Sequence, residues 1–124
     1  MVSVLRSWKG HSTFLQAARQ LRDSGFPARF VIVGDGPMRP AVEKELDEAK
    51  VADVVTMAGH REDVPEVLRA LDVLVIASTR HEGVPQIGLQ ALATRTPVVG
   101  SDVGGTPEII RAGETGRNFP AGDA

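Results

Sequence analysis

Short β-branched runs alternate with stretches of helical period along this chain. Phe30-Val31-Ile32-Val33, Val54-Val55-Thr56-Met57-Ala58, Val73-Leu74-Val75-Ile76-Ala77 and Pro97-Val98-Val99-Gly100 have the length and branching of buried strands. Met1-Val2-Ser3-Val4-Leu5 predicts one more at the start, and a short strand ends at Asn118-Phe119-Pro120. Between them, Phe14, Leu15, Ala18 and Leu21 share a helical face that Gly25 stops, and Val42, Leu46 and Ala49 define a second helix. Val64, Val67, Leu68 and Leu71 define a third, for which Asp63 and Glu66 have the spacing of a capping box. Thr106 is expected to cap a short helix that begins at Pro107. Strand and helix in turn over one domain, 1–124, predict an α/β fold: a doubly wound parallel sheet of five to six strands with helices on both faces.

In such a sheet ligands bind beyond the carboxyl ends of the strands. The loop Arg80-His81-Glu82-Gly83-Val84 leaves the strand at 73–77 and enters a helix, with Pro85 expected at its first position. There the free amides of Gly83, Val84, Gln86 and Ile87 can converge on an anion such as phosphate. Glu82 either accepts hydrogen bonds from hydroxyls or complements the helix dipole. Phosphate together with hydroxyls describes a nucleotide-sugar. At the first strand's end stand two cations, Arg6 and Lys9, which either face the same anion or are solvated loop residues. Gly34-Asp35-Gly36-Pro37 begins like a dinucleotide fingerprint, but Arg39 stands where its third glycine is due, and the dehydrogenase reading fails.

Composition narrows this further. The chain has no cysteine, so disulfides and thiolate metal sites are excluded, with a lean toward the cytoplasm. Its three histidines, His11, His60 and His81, have no metal-ligand spacing, and no metal is expected. A net charge of -2 with interspersed signs argues against a nucleic-acid surface. No apolar run approaches the roughly 20 residues that a membrane span needs. Trp8, the single tryptophan, is expected to anchor its loop from beneath.

Glu82-Gly83-Val84-Pro85, Leu89-Gln90-Ala91-Leu92-Ala93 and Pro97-Val98-Val99-Gly100-Ser101-Asp102-Val103-Gly104-Gly105-Thr106-Pro107-Glu108 together resemble the signature of retaining glycosyltransferases of group 1. The resemblance covers nearly the whole chain and implies the C-terminal, donor-binding, Rossmann-like half of a GT-B fold. It implies that Lys9, with Arg6, neutralises the donor diphosphate, that Glu82 orients the transferred sugar and that Gln90 holds ribose. Gly34 would border the donor cleft, where a plain strand-to-helix turn is an equally good reading, and the loop at His60 and Arg61 would border the nucleobase, though as exposed loop residues those two have the simpler reading. Apart from the nucleotide-sugar, no cofactor is implied.

Three positions depart from the family pattern. Its arginine falls on Val4, its second glutamate, eight residues after Glu82, falls on Gln90, and a glycine before the strand at 97–100 is Arg95. Gln90 offers one acceptor oxygen where a glutamate offers two. Arg95 costs about 1 kcal/mol if its backbone is left-handed. Gly88 lowers helix propensity by up to about 1 kcal/mol unless close packing needs it.

The resemblance also implies an N-terminal acceptor domain and terminal helices that this chain does not contain, so it reads as half an enzyme, weak in donor binding and nearly inactive alone. A partner chain would then supply the missing half; as an assembly module instead, its exposed apolar flank would suit a homodimer. The alternatives are a non-catalytic binding or assembly module derived from this domain and, less well supported, a sugar-nucleotide epimerase domain.

Overall fold

The computed structural model describes all of residues 1–124. Its elements run α1 (His11–Asp23), β1 (Phe30–Val33), α2 (Arg39–Ala49), β2 (Val55–Gly59), α3 (Val64–Ala70), β3 (Leu74–Ile76), α4 (Gln86–Ala93), β4 (Val98–Ser101), α5 (Thr106–Ile109) and β5 (Gly116–Phe119). All strand pairs are parallel: β1 lies beside β2, and β4 lies between β3 and β5.

Side-chain alternation along the strands feeds two cores. Met1, Ile32 and Ala77 join Phe14, Leu15 and Ala18 of α1 and Val42 and Leu46 of α2. Their sequence neighbours Val2, Val33 and Ile76 point the other way, toward Leu68 of α3, Ala91 of α4 and Ile110. Helices therefore cover both faces, as expected of a doubly wound domain.

The expected first strand is reduced to one bridge, Val2 to Val33. Ser3 and Leu5 donate their N–H groups to the Val33 and Asp35 carbonyls, and Val33 donates to Met1, each at 2.9 Å. On the other side a cavity of about 20 Å³ separates Met1, Val2 and Ser3 from Val75, Ile76, Ala77 and Ser78 of the β3 region. With no ladder bond to β3, the segment is one-sided and the sheet divides into two strands and three.

Three helix starts differ from expectation. Pro85 precedes α4 with an extended backbone (ψ 112°) and caps it through its carbonyl, which accepts from Gly88 N–H and Leu89 N–H at 3.0 and 3.3 Å. The capping box of α3 does not form, because Arg61 lies two residues from Asp63 and takes its carboxylate at 2.7 Å. Charge-assisted pairing wins over a neutral amide. Thr106 is the first residue of α5 rather than its cap, and its buried Oγ1 has no partner.

The end of α4 follows the chemistry of the left-handed C-cap. Arg95 has φ +63°; its N–H reaches the Leu92 carbonyl at 3.0 Å, and Thr96 N–H reaches Ala91 at 2.8 Å. This is the pair of bonds that closes a Schellman motif, where glycine carries no steric cost. Arg95→Gly is accordingly expected to stabilise the chain by about 0.5–1 kcal/mol, read as a higher urea midpoint at unchanged slope. Gly88 is explained by packing: a Cβ there would lie 2.4 Å from Ile109 Cδ1 and 3.1 Å from Ile76 Cδ1.

Candidate functional site

The two loops singled out in the sequence meet at the carboxyl end of the sheet. Gly10 makes this possible: it has φ +74°, and a Cβ on it would lie 1.8 Å from the Ala77 carbonyl oxygen, so only glycine lets the start of α1 rest on the end of β3. One residue earlier, Lys9 Nζ lies 2.9 and 3.1 Å from the two carboxylate oxygens of Glu82, a contact spanning 73 residues of sequence. The Glu82 side chain is only 9% exposed and that of Lys9 24%, so the pair is largely shielded from screening by water. Ser78, fully buried at the end of β3, donates its hydroxyl to Glu82 Oε2.

After Glu82 the backbone turns into α4. The N–H groups of Gly83, Val84, Gln86 and Ile87 have no acceptor within the chain, leaving four donors beside the ion pair. The loop is held from below by Gly104 and Gly105. A Cβ on Gly104 would lie 1.6 Å from the Glu82 carbonyl oxygen, and Gly105 N–H donates to the Gly83 carbonyl at 3.1 Å. The arrangement can neutralise and hold an anion through Lys9 and amides while a carboxylate stands ready to accept hydrogen bonds from hydroxyls.

The other candidates lie around this centre. Arg6 is exposed, and its guanidinium lies 5.6 Å above the Trp8 ring rather than on Glu82. Trp8 is half-buried and sits on the rim, not beneath the loop: its ring meets His81 edge to face at 6.1 Å, because its carbonyl is tied to Thr79 N–H at 2.8 Å. Val4, at the family's arginine position, is 53% exposed. Gln90 lies on the exposed side of α4, with its side chain unpartnered. Gly34 spends its N–H on the Gly59 carbonyl at 2.7 Å, which sets the turn at residues 34–37 against the loop bearing His60 and Arg61. In that turn Gly36 N–H, with help from Arg39, holds the Asp35 carboxyl below its ordinary pKa. His60 and Arg61 are exposed, and Arg61 is paired with Asp63. No three His, Asp or Glu side chains converge so as to hold a metal ion.

Two features escaped the sequence. Ser78 carries no signal beyond being a polar residue at the end of an apolar run. His11, buried beside Lys9, has its Nε2 3.2 Å from Ser3 Oγ, and burial, with the nearby Met1 ammonium and Lys9, pushes its pKa down to about 4. A histidine whose folded pKa lies below the unfolded value favours folding when neutral. Its contribution is therefore complete above about pH 6.5 and is lost as pH falls toward 4, by about 3 kcal/mol. Comparing the wild type with His11→Gln in urea at several pH values isolates it from the buried Met1 amino group, whose pKa is also pushed down, to about 5.

Two larger cavities are apolar and have the wrong chemistry for phosphate. They are contiguous, of about 320 and 560 Å³, and share Phe14, Leu21, Phe30 and Val75 as lining. They form one apolar groove between α1 and the sheet, away from the ion pair.

A doubly wound parallel domain with a carboxylate, a lysine and free amides at its carboxyl edge matches the model of the glycosyl transferases group 1 family over residues 1–124. The chain belongs to that family. It is 36% identical over 114 residues to an alpha-D-kanosaminyltransferase of Streptomyces kanamyceticus, covering 90% of this chain and 29% of that protein. It is 32% identical to a colanic acid biosynthesis glycosyltransferase, WcaL, of Salmonella typhimurium, covering 100% of this chain and 33% of that one. The chain thus spans about a third of the length of the curated relatives it matches. Among solved structures, Anabaena Alr3699/HepE in complex with UDP superposes with a TM-score of 0.88 at 24% identity, over 98% of this chain and 34% of that one. The C-terminal domain of the group 1 protein LpcC from Francisella tularensis gives 0.83 at 24%, over 98% and 67%. These likenesses establish the GT-B type of fold. No helix is long and apolar enough to cross a membrane.

Proposed function

We propose that this chain is the donor-binding domain of a retaining glycosyltransferase, taking a nucleotide-diphosphate sugar. The observation that carries this reading is the Lys9–Glu82 pair, 2.9 Å apart beside the four free amides of the loop entering α4. Lys9 and those amides take the diphosphate, and Glu82, released from Lys9, accepts hydrogen bonds from the sugar. When the bond from the sugar's anomeric carbon to phosphate breaks, the electron pair stays on the diphosphate, and Lys9 stabilises it electrostatically without a metal. Gln90 faces ribose from the exposed side of α4; His60, Arg61 and Gly34 border the base, and Arg6 adds positive potential at the mouth. That HepE holds UDP and UDP-glucose supports the donor class. The setting is cytoplasmic, an acceptor domain or partner chain is needed for transfer, and the isolated chain transfers little.

A second reading, a non-catalytic assembly module, is favoured by the apolar groove that α1 and the sheet leave open. Calorimetric titration with UDP-, GDP-, ADP- and dTDP-glucose separates the two. Selective binding of one donor, lost in Glu82→Ala, is expected. No binding by a folded chain, together with a dimer in sedimentation, would establish the assembly module instead.

A further inference from the structure

The proposed site contains one buried donor that its chemistry does not yet use. Ser78 is 0% exposed and sits where β3 ends. Its carbonyl accepts from Ser101 Oγ of β4 at 2.6 Å, which fixes the residue to the neighbouring strand. Its hydroxyl donates to Glu82 Oε2, while Lys9 Nζ reaches both carboxylate oxygens. A carboxylate this buried needs its donors. A diphosphate competes for the ammonium of Lys9, and once that ammonium turns away, Ser78 is the remaining side-chain donor on Glu82.

We infer that Ser78 is a positioning residue for Glu82, holding Oε2 so that Oε1 stays aimed at a hydroxyl of the donor's sugar when Lys9 engages the diphosphate. The inference rests on the donor-site reading above. Gly104 fixes the other end of the same residue, because its backbone lies against the Glu82 carbonyl. Glu82 is thus held at both its carbonyl and its carboxylate, and only its free oxygen remains to meet a ligand. Ser78 touches neither phosphate nor sugar, so its effect should appear only through the sugar.

The test is an NMR-detected titration of the chain with UDP-, GDP-, ADP- and dTDP-glucose and with the matching sugar-free diphosphates. Ser78→Ala is expected to weaken the preferred sugar-nucleotide about 5- to 10-fold while changing the sugar-free diphosphate less than about twofold. Ser78→Cys, close in size with a weaker donor, shows the same selectivity at smaller magnitude and keeps the test valid if the alanine variant does not fold. In a Glu82→Ala background, which removes the acceptor itself, the Ser78→Ala effect on the residual binding should largely vanish, since the two act on one contact. Equal weakening of both ligands, or a loss that persists in full beside Glu82→Ala, overturns the positioning role and leaves Ser78 as packing. If Glu82→Ala itself does not discriminate sugar-nucleotide from diphosphate, or none of the ligands binds, the donor-site reading fails and the inference falls with it.

Discussion

Lys9→Ala is expected to lower stability by about 2–3 kcal/mol and to weaken sugar-nucleotide binding at least about tenfold. The stability term comes from what is left behind. With Lys9 gone, Glu82, 9% exposed, keeps a full charge with only the Ser78 hydroxyl as side-chain partner. Removing one partner of a buried pair costs more than the pair is worth, because the survivor is desolvated without compensation. The reverse change is milder: Lys9 is 24% exposed and can turn to water, and glutamine at position 82 keeps an acceptor oxygen for both donors. Urea unfolding of Lys9→Ala, Glu82→Gln and the double variant should therefore rank Lys9→Ala lowest, with the double variant recovering part of the loss. Equal midpoints for Lys9→Ala and the wild type would show that the pair is solvated and the site open.

Gly104→Ala is expected to abolish detectable sugar-nucleotide binding with a smaller effect on stability, about 1–3 kcal/mol. Two penalties add. The residue has φ +55°, which costs a non-glycine residue about 1 kcal/mol, and its new Cβ would lie 1.6 Å from the Glu82 carbonyl oxygen. Only a shift of the loop relieves that clash, and the loop carries Glu82 and the free amides together. Gly122→Ala is the control: φ is +81°, with nothing within 4 Å of the new Cβ, so it pays the backbone term alone and leaves binding unchanged. If Gly104→Ala binds as the wild type does, the loop can move without consequence and the site does not depend on its height above the Gly104-Gly105 floor.

The strands at 30–33, 55–59, 74–76 and 98–101 and the helices between them were legible because β-branched runs and three-to-four spacing reflect burial directly. Lys9 and Glu82 stood out because each follows a strand at the sheet's carboxyl end, where topology brings loops together whatever their separation in sequence. Competition between partners was not legible. Asp63 has the spacing of a cap, yet Arg61 outbids the helix amides; Pro85 fits a first helical position, yet its extended ψ places it just outside. Residues 1–5 show the pattern of a strand, but whether a strand pairs on one side or two depends on a neighbour 70 residues away. Ser78 and His11 meet Glu82 and Ser3, only four and eight residues away, because the intervening loops fold back at the sheet's carboxyl end, and neither a helical nor a strand period marks such contacts.

The one-sided pairing of Met1–Leu5 reaches beyond topology. Of all backbone hydrogen bonds, only Thr79 N–H to the Trp8 carbonyl joins residues 1–62 to residues 63–124. The Lys9–Glu82 pair crosses the same seam. Both cores straddle this seam, so amide exchange should show the two blocks, residues 1–62 and 63–124, opening with unequal but coupled free energies in the empty protein. A molecule held by Lys9 on one block and by the α4 amides on the other would fasten the two like a rivet, and slowed exchange far from the site, in α2 and β5 alike, would be the trace it leaves.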